Sequence, residues 1–162
     1  MGYRFNIKMN SKKNDKEELL QTNDNKSKII FVDSTTSFND LKKIMKEFLD
    51  VKVIVFDIES RKKLLRNNIN HITSDEFLSE NDLNLIQNEA YNLSKWFEQP
   101  EIHSELTYEH VNIGRLFHEQ FAEFLVKFLK KYRAVHNFYK KYPDSNFFAS
   151  GILFDIISSF SN

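Results

Sequence analysis

Residues 28–56 read KIIFVDSTTSFNDLKKIMKEFLDVKVIVF, and two features of this stretch decide the fold class. Lys28 to Val32 is a short continuous apolar run that stops at Asp33 and a cluster of hydroxyls, the pattern of a strand buried on both faces. Val51 to Phe56 repeats it. Between them Phe38, Leu41, Ile44, Met45, Phe48 and Leu49 recur at spacings of three and four behind Ser37, a residue suited to capping a helix, while Lys42, Lys43, Lys46 and Glu47 take the polar side. Strand, amphipathic helix and strand in this order predict parallel pairing, because the helix must return its apolar face to the sheet.

Working toward the carboxyl end, Ser60 is suited to cap a helix over Arg61–Asn67 that closes at Asn67-Asn68, and Ile69–Thr73 reads as a third, short strand. Ser79 with Asp82 three residues on resembles a capping box and opens a helix running to about Phe97, ended by Pro100. After a polar connection, Asn112 begins a long helical stretch carrying Leu116, Phe117, Phe121, Phe124, Phe128, Val135, Phe138 and Tyr142, which stops before Pro143. At ~1.5 Å per residue it is roughly 45 Å long, more than a small domain is wide, so a bend or a protruding end is expected. Asn146–Ser150 then reads as a fourth strand, turning at Ser150-Gly151 into a helix with Ile152, Leu153, Ile156, Ile157 and Phe160 on one side. The expected fold is α/β, a Rossmann-like parallel sheet of about four strands in the order 3-2-1-4 with flanking helices, one of them long. One domain spans 28–162. Residues 1–27 are expected to be a flexible polar tail whose weak alternation at Tyr3, Phe5, Ile7 and Met9 would at most add an edge strand.

Composition narrows the chemistry. Among 162 residues, Lys plus Arg and Asp plus Glu are both 23, so no long-range field attracts nucleic acid or an acidic membrane. There is no cysteine, hence no disulfide, thiolate nucleophile or cysteine-ligated metal. Met1–Lys26 is polar and has no apolar stretch of the secretory kind, so a cytoplasmic location is expected, and Asn6 stands where a myristoylation pattern needs Ser or Thr. The apolar run Phe147–Phe160 contains Asp155 and falls short of the ~20 residues that span a bilayer.

The strand ends carry the candidate ligand-binding residues, because open parallel sheets bind ligands beyond the carboxyl ends of their strands at a topological switch point. They are Asp33, Ser34, Thr35, Asp57, Ser150 and Gly151. Asp33-Ser34-Thr35 resembles an aspartyl-nucleophile loop, but that chemistry needs a second acid where Thr35 stands. Asp57 and Glu59 lie where an acid grips a dinucleotide ribose, yet the first turn lacks the glycines that bring backbone to pyrophosphate. His118-Glu119-Gln120-Phe121-Ala122 lacks the second histidine of a zinc-protease helix. Lys127, Lys130, Lys131, Arg133, Lys140 and Lys141, interleaved with aromatics at helical spacing, read as the solvated face of an amphipathic helix. Ser150-Gly151 is the best generic feature, since a small pair at a strand end lets the following helix turn its N–H groups to an anion or a sugar hydroxyl.

Taken together, IIFVDSTTSFNDLKKIMKEF (29–48), VIVFDIESRKKLL (53–65), SDEFLSENDL (74–83), YEHVNIGRLF (108–117) and FFASGILFDI (147–156) resemble the amino-terminal domain of surface-polysaccharide glycosyltransferases of the two-Rossmann GT-B type. That resemblance spans about residues 28–160 and implies an acceptor-side half-enzyme or truncated form that is not catalytic alone. Its partner would be a second Rossmann domain and its ligand a carbohydrate acceptor, with no catalytic residue carried over and no cofactor or metal implied. The competing expectation is a non-enzymatic interaction or regulatory module that forms a homodimer through helix 112–142.

Overall fold

The computed structural model describes residues 26–48 and 50–160. The tail expectation for 1–27, including the alternation at Tyr3 to Met9, therefore lies outside the described residues apart from Lys26 and Ser27. In chain order the elements are β1 (Lys28–Val32), α1 (Phe38–Glu47), β2 (Val51–Val55), α2 (Ile58–Arg66), β3 (Ile72–Thr73), α3 (Glu80–Ser94), α4 (Pro100–Glu105), β4 (Thr107–Tyr108), β5 (Val111–Asn112), α5 (His118–Lys141), β6 (Asn146–Phe148) and α6 (Gly151–Ser159). They group into two compact units, one formed by the described residues up to Glu76 together with those from Val135 onward, the other by Phe77–Ala134.

The first unit is built on a four-stranded sheet in the order β3-β2-β1-β6. Every pairing in it is parallel. This is the expected 3-2-1-4 arrangement, with β6 as the fourth strand of the sheet. Lys28 to Val32 pair in register with Val51 to Val55, and Lys28 to Ile30 pair with Asn146 to Phe148. Successive side chains of β1 point to opposite faces, so the strand fills two cores at once. Ile30 and Val32 join Val53, Val55 and Phe148 against Leu41 and Ile44 of α1 and Leu64 of α2. On the other face Phe31 meets Phe138 of α5 edge-on at 5.5 Å and Phe147 of β6 at 5.6 Å. Phe160, just after α6, stacks on Tyr139 of α5 at 5.7 Å.

Local chemistry explains where these elements start. Ser37 caps α1 through the Asp40 N–H. The helix expected from Arg61 begins earlier, at Ile58, because the Asp57 carboxylate accepts from the Ser60 N–H at 2.8 Å and from its hydroxyl at 3.1 Å. Asp57 is thus the cap and Ser60 is buried inside the first turn. Asn68, with φ of 53°, ends α2 in the left-handed region that asparagine tolerates.

In the second unit, Ser79 and Asp82 complete a capping box on α3, with Ser79 Oγ accepting from the Asp82 N–H at 3.1 Å and Asp82 Oδ2 accepting from the Ser79 N–H at 3.0 Å. Arg133 of α5 donates from Nε to Asp82 Oδ1 at 2.7 Å. The stretch read as a polar connection contains α4 and a hairpin of β4 and β5, turned by Glu109 and His110 at φ of 47° and 68°. The long helix is α over its 24 residues from His118, preceded by a turn of tighter 3-10 helix at Ile113–Phe117. Buried Asn112 starts that turn, its Oδ1 accepting from the Gly114 N–H at 2.8 Å. A Cβ on Gly114 would stand 2.3 Å from Phe97 Cβ, so only glycine lets this turn lie against Phe97.

Two outcomes follow for stability. Phe31→Ala removes a fully buried ring and is expected to cost about 3–5 kcal/mol in urea unfolding. Asp82 is held below the ordinary aspartate value of 3.8, chiefly by the Ser79 N–H, then by the Ser79 hydroxyl, with Arg133 adding to it. A lowered folded pKa gives stability that is full above 3.8 and is lost as pH falls through the folded value. Asp82→Asn should therefore be less stable than wild type at neutral pH, and the gap should narrow as unfolding is measured from pH 5 down to about pH 2.

Candidate functional site

In the order β3-β2-β1-β6, the switch point lies between β1 and β6, since the chain leaves β1 toward β2 on one side and returns on the other. The loop after β1 and the turn after β6 meet there. Asp33 is buried, 1% exposed, and its Oδ1 accepts from the Thr35 hydroxyl at 2.6 Å and the Thr35 N–H at 3.0 Å. The Asp33 N–H donates to Thr36 Oγ1 at 3.1 Å, and the Thr36 N–H donates to the Asp33 carbonyl at 2.9 Å. Asp33 thereby folds its own loop back on itself, as a short carboxylate at a turn commonly does.

Thr36 then reaches across the switch point, its Oγ1 lying 3.2 Å from Ser150 Oγ. Ser150 is buried and makes no side-chain cap on α6, because its hydroxyl is directed to Thr36. Gly151 follows at φ of +55°, and a Cβ there would stand 2.9 Å from Thr35 Oγ1. Glycine is needed twice over at this position, for the backbone conformation and for the approach of the β1 loop. The result is a small rim on which Ser34, Thr35 and Gly151 are exposed above buried Asp33 and Ser150. It presents hydroxyls and the start of a helix, groups that pair with other hydroxyls or with anions.

Five of the six expected residues, Asp33, Ser34, Thr35, Ser150 and Gly151, belong to this rim. Asp57 does not. Its carboxylate caps α2, and with Val55, Phe56, Ile58, Arg61, Thr73, Ser74 and Asp75 it lines a separate recess of about 110 Å³ at the ends of β2 and β3. A drug-sized ligand needs ~300 Å³ or more, so this recess takes no more than a few waters or one small polar group. Thr36 is the residue that sequence reading left out of the site. Its signal was available, a hydroxyl within reach of the strand end, but the partner that gives it a role sits 114 positions away.

The remaining motifs resolve structurally. His118 Nε2 lies 3.0 Å from the hydroxyl of buried Ser94, and its ring meets the edges of Tyr91 and Phe97. Among the described residues no group of three metal-ligating side chains converges. In the basic segment, Lys127 pairs with Glu123 at 2.5 Å and Arg133 with Asp82. No helix among the described residues is long and apolar enough to cross a membrane.

Comparison with protein-family models finds no match, and neither curated proteins nor solved structures give one.

The rim makes its own test. Gly151→Ala forces a left-handed alanine and pushes a methyl onto Thr35, at an expected cost of about 1–2 kcal/mol. Adding Thr35→Ser, which keeps the hydroxyl bond to Asp33, should leave that cost standing. Adding Thr35→Gly should recover part of it, as read by thermal unfolding.

Proposed function

We propose that the sheet unit is the acceptor-side half of a glycosyltransferase-like protein of surface-carbohydrate biosynthesis, binding a carbohydrate at the β1–β6 rim and not catalytic alone. One observation carries this reading, the convergence of Asp33, Thr35, Thr36 and Ser150 at the switch point of a parallel sheet. Sugars are recognised by hydroxyls and backbone N–H groups, which the rim offers at Ser34, Thr35 and the start of α6, while buried Asp33 holds the loop in place. The resemblance of segments 29–48, 53–65 and 147–156 to GT-B amino-terminal domains supports the same assignment. In such an enzyme the nucleotide sugar is gripped by a second Rossmann domain, which here would be supplied in trans or by further chain.

The reading predicts millimolar binding of a neutral disaccharide, with amide shifts confined to residues 33–36 and 150–152 in a panel of β- and α-linked glucose and galactose disaccharides. Asp33→Asn should weaken it severalfold by loosening the loop that Asp33 closes. No sugar-nucleotide hydrolysis or transfer is expected from the chain alone. Turnover by the purified protein, or a panel that leaves these amides unmoved, removes the proposal.

A second reading has its own observation. Phe117, at the end of the turn before α5, and Phe124 within α5 each leave a ring 59% exposed, as a monomeric surface helix seldom does. Under this reading the protein is a non-enzymatic interaction or regulatory module that dimerises through the long helix.

A further inference from the structure

The recess at the ends of β2 and β3 lies wholly within the sheet unit and shares no residue with the β1–β6 rim. Its lining leaves polar groups unused. Ser74 is only 9% exposed, yet its hydroxyl has no hydrogen-bond partner among the described residues. Neighbouring Thr73 is spent, its N–H and hydroxyl both donating to Glu76 Oε1, at 3.2 and 3.1 Å. A buried hydroxyl without a partner costs free energy unless water or a ligand meets it, and the recess that Ser74 lines is where one can.

Charge on the same lining has both signs. Arg61 of α2 and Asp75, just after β3, are exposed, and neither belongs to an ion pair among the described residues. Asp57 gives one oxygen to the Ser60 N–H and the other to the Ser60 hydroxyl, so lone pairs remain on both. An anion alone would meet Arg61 in the presence of two carboxylates, and a cation alone would meet the carboxylates in the presence of Arg61. A ligand carrying both charges satisfies both. Size narrows it further. At ~30 Å³ for each water in the liquid, about 110 Å³ corresponds to roughly three or four waters, a volume suited to a molecule of a few non-hydrogen atoms.

We infer that this recess binds a small zwitterionic α-amino acid, of the size of glycine or alanine, independently of the carbohydrate reading of the rim. Its carboxylate pairs with the Arg61 guanidinium, whose planar fork matches two carboxylate oxygens. Its ammonium group takes Asp75 and the remaining lone pairs of Asp57, and the Ser74 hydroxyl completes the set. Phe56 and Ile58 offer apolar wall to a methyl group, and the volume leaves no room for a long side chain.

The test uses the full chain, titrated with glycine, L-alanine, acetate, methylammonium and L-leucine while backbone amides are followed by NMR. Glycine and L-alanine should saturate with about millimolar affinity and move amides within 55–61 and 73–76. Acetate and methylammonium should each bind at least about tenfold more weakly, because each leaves one charge of the lining unmet. Arg61→Gln and Asp75→Asn should each weaken alanine binding about tenfold with thermal unfolding unchanged, since both side chains are exposed. Ser74→Ala removes only the hydroxyl and should weaken binding severalfold. Recess amides that neither amino acid moves overturn the site, as do shifts confined to the rim at 33–36 and 150–152. Acetate that binds as tightly as glycine makes this a plain anion site, and methylammonium that does so makes it a plain cation site. Leucine that does so removes the limit on size. Each of these three overturns the amino-acid assignment.

Discussion

Burying β1 on both faces is the constraint on which the sheet unit depends. A strand whose Ile30 and Val32 need one core and whose Ile29 and Phe31 need another cannot lie at an edge or against solvent. It requires a strand on each side and helices above and below. β2 and β6 supply the flanks, α1 and α2 cover one face, and Phe138 of α5 closes on Phe31 from the other. The rim follows from the same constraint, since the loop after a central strand and the turn after its late-arriving neighbour are brought side by side without any residue of either having to attract the other.

Polar groups at that rim are spent partly on holding it. Asp33 Oδ1 serves the Thr35 hydroxyl and N–H, and Ser150 gives up the cap of α6 to meet Thr36. A carboxylate tied in this way is a positioning group, and the surface offered to a ligand is that of Ser34, Thr35, Gly151 and the start of α6. Exposed hydroxyls and the start of a helix are groups that pair with other hydroxyls or with anions.

Much of the architecture was legible because it is local. Continuous apolar runs at 28–32 and 51–55, three-and-four spacing at 38–48, Ser79 with Asp82, and Gly151 after a strand are each written within a few residues. Errors fell where two local devices competed or where a partner was distant. Ser60 looked like the cap of the second helix, but Asp57, three residues earlier, accepts the Ser60 N–H and starts the helix sooner. The hairpin at 107–112 was invisible because Glu109 and His110 adopt a left-handed turn usually built with Asn and Gly. Asp57 was grouped with Asp33 from its place at a strand end, and the sheet order put the two at different sites.

Sequence by itself determined the kinds of element, the parallel α/β class and the hydroxyl-rich ends of the first and last sheet strands, because hydrophobic period and capping chemistry act over one or two turns. Only the tertiary structure decided that Thr36 meets Ser150, that Gly151 must be glycine because Thr35 lies against it, and which aromatic rings of the long helix are spent in cores and which face water. Those outcomes depend on which segments become neighbours, and neighbours more than a hundred residues apart are chosen by the packing of the whole sheet, not by any window of the chain.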